Sequence, residues 1–174
     1  MTPGRRDTLI VGAVALAAAG AGALAGALAL QSRSGAAALL SATYADLSGR
    51  PRQLLEWRGS ILLCNFWATW CAPCLEEMPM LADLREKYAA KGVEFVGIGI
   101  DPAAKLAEFA RTHQIRYPLL VADAGVASLM RDLGNGPGGL PFSVILDRSG
   151  SLAYRRLGAL TREEVEKVLV GLLR

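Results

Sequence analysis

Cysteine and histidine are scarce in this sequence, with three of the first and one of the second in 174 residues. Three cysteines are too few for a disulfide-stapled mini-protein. A structural zinc site wants four ligands, and beyond Cys71 and Cys74 the chain offers only Cys64 and His113. No metal site is therefore expected. Charge of one sign is lacking as well. Nineteen Lys and Arg face sixteen Asp and Glu, a net +3, and the basic residues cluster only at Arg5-Arg6 and Arg155-Arg156. That balance argues against a nucleic-acid partner. No internal repeat is present, nor any low-complexity stretch after Ala38. Apolar residues are plentiful at 52%, which excludes a disordered chain.

The apolar excess is concentrated at the N-terminus. Residues Thr8 to Leu30 carry no charge and are almost entirely Ala, Gly, Leu and Val. As a helix this stretch would reach roughly 35 Å, enough for a hydrocarbon core of about 30 Å. Arg5 and Arg6 precede it and only Arg33 follows closely, a bias that puts the N-terminus in the cytoplasm and the rest outside. Two readings stay open. The length favours an uncleaved signal anchor. The mild hydrophobicity, with small-x-small sites at Ala27-Leu28-Ala29 and Ala36-Ala37-Ala38, favours a cleaved signal peptide. Both place the protein at the inner membrane facing the periplasm or another extracytoplasmic space, or secreted into it, where disulfides persist. Residues 1–30 are thus expected to be anchor or signal, and 31–41, small and polar at first, a linker.

From residue 42 the pattern alternates. Tyr44 to Pro51 holds a Ser48-Gly49 turn signal and reads as a hairpin. Ile61 to Trp67 and Val93 to Ile100 are apolar runs of buried-strand length. Leu75 to Ala90 has helical spacing and meets Gly92. Ala103 to His113 and Val126 to Leu133 read as helices, and Tyr117 to Val121 as a short strand. Phe142 to Leu146 and Ser151 to Leu157 flank the turn Asp147 to Gly150. Thr161 followed by Glu164 is a capping box opening a last helix. The order ββαβαβαββα reads as an α/β sandwich.

The chemistry is concentrated in Trp70-Cys71-Ala72-Pro73-Cys74, which follows a buried strand and opens a helix. The first amides of a helix lack partners and its dipole is positive there. A Cys71 thiolate is stabilised by both effects, which lowers its pKa below that of a free thiol. Cys74 sits one turn inward, close enough for a small disulfide ring. Pro73 fits the first turn, where its missing N–H costs nothing. Cys71 is thus the exposed attacking thiol and Cys74 the resolving one, in thiol–disulfide exchange through a mixed disulfide. Other readings fail on the residues. Covalent haem needs His after the second Cys, where this chain has Leu75. A purely structural disulfide across so short a loop would stabilise little. Cys64, on the preceding strand, reads as a small core hydrophobe.

The stretch Asn65-Phe-Trp-Ala-Thr-Trp-Cys-Ala-Pro-Cys-Leu-Glu-Glu77-Met-Pro79 resembles the thioredoxin superfamily, and more narrowly its TlpA/ResA-like group of membrane-anchored, extracytoplasmic thiol–disulfide oxidoreductases. The similarity spans roughly Ala42 to Arg174. It implies a thioredoxin fold over 42–174: a central mixed β-sheet flanked by helices, with an N-terminal hairpin and an inserted strand-helix unit. The resemblance also implies a redox-active Cys71–Cys74 disulfide with no other cofactor. Leu140-Pro141 matches the family's cis-proline, which sets a backbone edge against the disulfide for a substrate strand. Glu77 matches an acid that exchanges protons with the cysteines, and Asn65 replaces the buried Asp of cytoplasmic thioredoxins. Trp70 is expected to pack beside the disulfide and screen it, Trp67 to lie in the core, and Gly134 to Gly139 to be a flexible lead into Pro141. The substrate-binding set is then Trp70, Pro73, Leu140 and Pro141, and the catalytic set Cys71, Cys74 and Glu77.

The direction of electron flow follows from the residues between the cysteines. A His there stabilises the thiolate and makes the disulfide oxidising. Ala72-Pro73 carries no charge, which favours a reductase. The resemblance implies disulfide-containing protein substrates, with apocytochrome c and copper-site proteins among them, and a membrane thiol-transfer electron donor. Phe142 stands where cytochrome-maturation members carry an acid after the cis-proline, which weakens that assignment. The alternatives are a disulfide oxidase or isomerase, and a non-enzymatic copper chaperone of the same fold. A thiol peroxidase would need a Pro-x-x-x-Thr-x-x-Cys pattern that the chain lacks.

Overall fold

The computed structural model of the protein describes residues 34–174, together with residues 20, 22–24, 26, 27 and 30. The anchor or signal peptide expected over 1–30 falls largely outside the described residues. Among the described residues no helix is long and apolar enough to cross a membrane.

Seven strands form one mixed sheet in the order β2-β1-β5-β4-β3-β6-β7. β1 (Thr43–Asp46) and β2 (Pro51–Gln53) make the hairpin, and a 3-10 turn Leu54–Trp57 leads on to β3 (Ile61–Trp67). α1 (Ala72–Tyr88) follows, then β4 (Val93–Gly99), α2 (Ala103–Thr112), β5 (Leu119–Val121) and α3 (Val126–Asp132). The chain ends with β6 (Phe142–Leu146), β7 (Leu152–Leu157) and α4 (Arg162–Leu172). β3, β4 and β5 are mutually parallel, while β6 runs antiparallel to β3.

All seven residues of β3 are buried, as befits a strand covered on both faces. Side chains alternate across a strand, so β3 feeds two cores. Ile61, Leu63 and Trp67 join Met78, Leu81 and Leu84 of α1 and Val165 and Leu169 of α4 on one face. Leu62, Cys64 and Phe66 join Val96, Val126, Met130 and Val144 on the other. Asn65 shares the parity of Leu63 and Trp67, so it points toward α1.

α1 begins three residues earlier than its apolar spacing predicts. Cys71 is the N-cap and Pro73 lies in the first turn, where a missing N–H loses nothing. The core-facing periodicity starts only when the helix reaches the sheet. The helix runs through Pro79 and ends at Tyr88. A 3-10 turn then brings Gly92 to φ 76°, a left-handed stop. The Thr161–Glu164 capping box is present in both directions.

The stretch taken as linker differs from its expectation. Residues 34–41 are helical, and Ala36 and Leu39 are buried in the second core with Tyr44, Met130 and Leu133. A Cβ on Gly35 would come within 2.8 Å of the Asp132 carbonyl oxygen, so this helix lies close against the end of α3. Ala36, Leu39 and Leu40 recur at the i, i+3, i+4 spacing of an apolar stripe, which its shortness and the polar residues Gln31 to Ser34 before it masked.

Candidate active site

β3 delivers the chain to the site at Trp67, and the loop Ala68–Trp70 turns it into α1. Two contacts hold that turn. The Cys71 N–H donates to the Ala68 carbonyl at 3.1 Å. Asp101, just beyond β4, accepts from the Thr69 N–H at 2.7 Å and from the Thr69 hydroxyl at 2.8 Å through one carboxylate oxygen. Cys71 and Cys74 are joined by a disulfide with Cα atoms 5.3 Å apart. The expected difference in exposure is present but small: Cys71 is 6% exposed and Cys74 fully buried. Pro73 is exposed beside them. Trp67 is buried, its ring 5.1 Å from that of Phe109. Trp70 stands 69% exposed, a projecting ring rather than the packed screen expected of it.

One turn along α1 from Cys74 begins a buried polar chain. Glu77, 4% exposed, accepts from the Leu160 backbone N–H at 2.6 Å and from Asn65 Nδ2 at 2.8 Å. Asn65 Nδ2 also meets Ser143 Oγ at 2.9 Å, across a strand pair in which Asn65 and Ser143 are in register. Burial pushes the Glu77 carboxyl above its ordinary value of 4.5, and the hydrogen bonds from Leu160 and Asn65 oppose that shift. Glu77 is thus a buried carboxyl, while Glu76 beside it is exposed. Burial likewise raises the Cys64 thiol, which is free and fully buried. His113 is an exposed residue at the end of α2, stacked on Phe109 at 4.2 Å between ring centroids.

The Leu140–Pro141 peptide is cis. Pro141 is buried and Leu140 partly so, and the Gly158 N–H donates to the Pro141 carbonyl at 2.9 Å. The preceding loop is not the flexible lead its glycines suggested. Asn135, fully buried, donates through Nδ2 to the Gly139 carbonyl at 2.9 Å and accepts from the Gly138 N–H at 3.0 Å. Ser143, Asp101, Thr69, Asn135 and the Leu160 amide were not foreseen. All but Asn135 act on a distant segment, and no local pattern marks them; Asn135 bonds within its own loop, to Met130, Gly138 and Gly139. Chemically, the site can pass two electrons through the sulfur pair and hold a proton at Glu77.

The Redoxin family pattern matches residues 33–169. The chain belongs to the Redoxin family. Among curated Redoxin relatives, the thiol–disulfide oxidoreductase ResA of Bacillus thuringiensis is 31% identical over 125 residues, 71% of this chain and 70% of that one. A thioredoxin-family thiol:disulfide interchange protein from Chlorobium tepidum superposes with a TM-score of 0.69 at 25% identity, covering 76% of this chain and 93% of that one. A secreted thiol–disulfide isomerase from Corynebacterium glutamicum gives 0.68 at 23% identity, covering 76% and 83%. This Redoxin chain therefore has the thioredoxin fold and is ResA-like, as the motif around Cys71 implied. The site is that of an oxidoreductase acting on protein disulfides.

Proposed function

We propose that the chain reduces protein disulfides outside the cytoplasm, with Cys71 as attacking sulfur, Cys74 as resolving sulfur and Glu77 as the proton-exchanging acid. In the reduced protein the Cys71 thiolate attacks one sulfur of a substrate disulfide. A mixed disulfide forms and the other substrate sulfur leaves as a thiolate. The Cys74 thiolate then attacks the Cys71 sulfur, closing the Cys71–Cys74 disulfide and expelling the second substrate thiol. Two electrons pass to the substrate for each disulfide closed, and a membrane dithiol donor returns them. Trp70, Pro73, Leu140 and Pro141 form the surface the substrate meets.

The observation that carries the reading is the uncharged Ala72-Pro73 pair inside a disulfide at the N-terminus of α1. Without a cation between the cysteines the reduced pair has only the helix N-terminus to stabilise it, which favours a weaker oxidant than a pair with His between. The extracytoplasmic setting is supported by Arg5-Arg6 ahead of the uncharged run Thr8–Leu30. The ResA likeness supports the same reading. The decisive measurement is the reduction potential of the pair. A value below about −220 mV supports a reductase, whereas one near −120 mV, that of a strong oxidant, would refute it.

A further inference from the structure

The loop from α3 to Pro141 contains four glycines among Gly134 to Gly139, yet it is stapled from two sides. On the inside is Asn135. Its N–H donates to the Met130 carbonyl at 2.8 Å, its Oδ1 accepts from Gly138, and its Nδ2 donates to the Gly139 carbonyl. Turning the amide over would set donor against donor and acceptor against acceptor, so its partners fix its orientation. Residues 135–139 thereby close into a ring around one buried amide. On the outside is the edge strand β7. The Arg155 guanidinium lies over Gly134, where a Cβ would collide with it, and its Nη1 donates to the Leu133 carbonyl at 3.3 Å. Leu157, 44% exposed, brings its side chain to 3.2 Å from the position of a Cβ on Gly139.

We propose that Asn135 is a positioning residue for protein substrates, holding the Gly139–Leu140 backbone edge in the shape that an extended substrate segment pairs with. The proposal rests on the exchange reading above, in either direction of electron flow. An extended chain draws its affinity from hydrogen bonds to a preformed edge. Freed from Asn135, this glycine-rich loop spreads over many conformations, and apparent affinity falls by the fraction still competent. A small disulfide needs only the Cys71 sulfur and no edge. Loosening the loop therefore acts on the KM for protein substrates.

Asn135→Asp tests this in the full chain, because it keeps the acceptor for Gly138 and removes the donor to Gly139. Turnover is followed with insulin and with the small aromatic disulfide DTNB. The KM for insulin is expected to rise about tenfold with kcat within about twofold, so that the ratio of insulin to DTNB kcat/KM falls about tenfold. Arg155→Ala, at an exposed position, loosens the same loop from outside and is expected to move KM the same way, by about threefold. It carries the comparison alone if Asn135→Asp does not fold. An unchanged ratio, or kcat falling in step with the rise in KM, overturns the proposal. If the unsubstituted protein does not reduce insulin, the reductase direction fails instead. The same KM comparison is then made for oxidation of a reduced protein, and an unchanged KM there overturns the Asn135 role.

Discussion

Glu77→Gln separates the acid's chemistry from its place in the fold. Glutamine keeps the length of the side chain, and its Oε1 still accepts from the Leu160 N–H, which reaches Glu77 at 2.6 Å. Its Nε2 then faces Asn65, whose Oδ1 has no hydrogen-bond partner. Turning the Asn65 amide over supplies the missing acceptor, and the Ser143 hydroxyl donates in place of accepting. The turned Nδ2 then stands where Oδ1 already lacked a partner, so one Asn65 amide atom is unpaired before and after, and the expected stability change is about 1 kcal/mol at low pH. Glu77→Ala, by contrast, strands the Leu160 N–H and the Asn65 amide, at about 1–3 kcal/mol each.

The pH dependence carries a definite sign. The folded carboxyl sits above its ordinary value of 4.5 because burial disfavours the charged form. Between the two values the folded state binds more protons than the unfolded one. Stability is therefore full below about 4.5 and falls as pH rises through the raised value. Each unit of raising is worth about 1.4 kcal/mol. Glutamine does not titrate, so the melting temperature of Glu77→Gln gains on that of the unsubstituted protein as pH rises from about 4.5 through the raised value. In single-turnover reduction of insulin over about pH 5 to 9, the limb due to Glu77 is expected to vanish in the variant. Superimposable pH–rate profiles, with a melting difference that does not change with pH, would refute the proton-exchange role.

Three further outcomes are expected. Cys74→Ser leaves the mixed disulfide unresolved, so a reductant-sensitive adduct with substrate appears on a non-reducing gel; Cys71→Ser forms none. Asp101→Ala releases both Thr69 hydrogen bonds and lowers kcat/KM for insulin by about tenfold, with Asp101→Asn, which keeps the acceptor oxygen, falling between. Leu39→Ala, in the helical segment 34–41, costs about 2–4 kcal/mol in urea unfolding, whereas a true linker residue would show no change.

Local order is the part of the structure that sequence patterning reaches well. The run Ile61–Trp67, apolar but for Asn65, is β3 to the residue, as suits a strand covered on both faces. The Thr161–Glu164 box opens α4 because its partners lie three residues apart. The cysteine pair and Leu140-Pro141 are legible through motif and resemblance. Residues 34–41 read as linker because an apolar stripe of five residues, Ala36 to Leu40, is too short to mark a helix until Tyr44, Met130 and Leu133 supply its partners.

By itself, then, the sequence determined the alternation of strands and helices from Ile61 onward, the Cys71–Cys74 couple and its place at a helix start, because each depends on neighbours within one or two turns. Only the tertiary structure decided what surrounds the couple. Asn65 meets Ser143 across 78 residues and Glu77 meets the Leu160 amide across 83. Those contacts depend on strand register and on where α4 docks. The loop of glycines ahead of Pro141 combines the two: the Asn135 bonds are local, within five residues, while Arg155 and Leu157 reach the loop only because β7 pairs beside it.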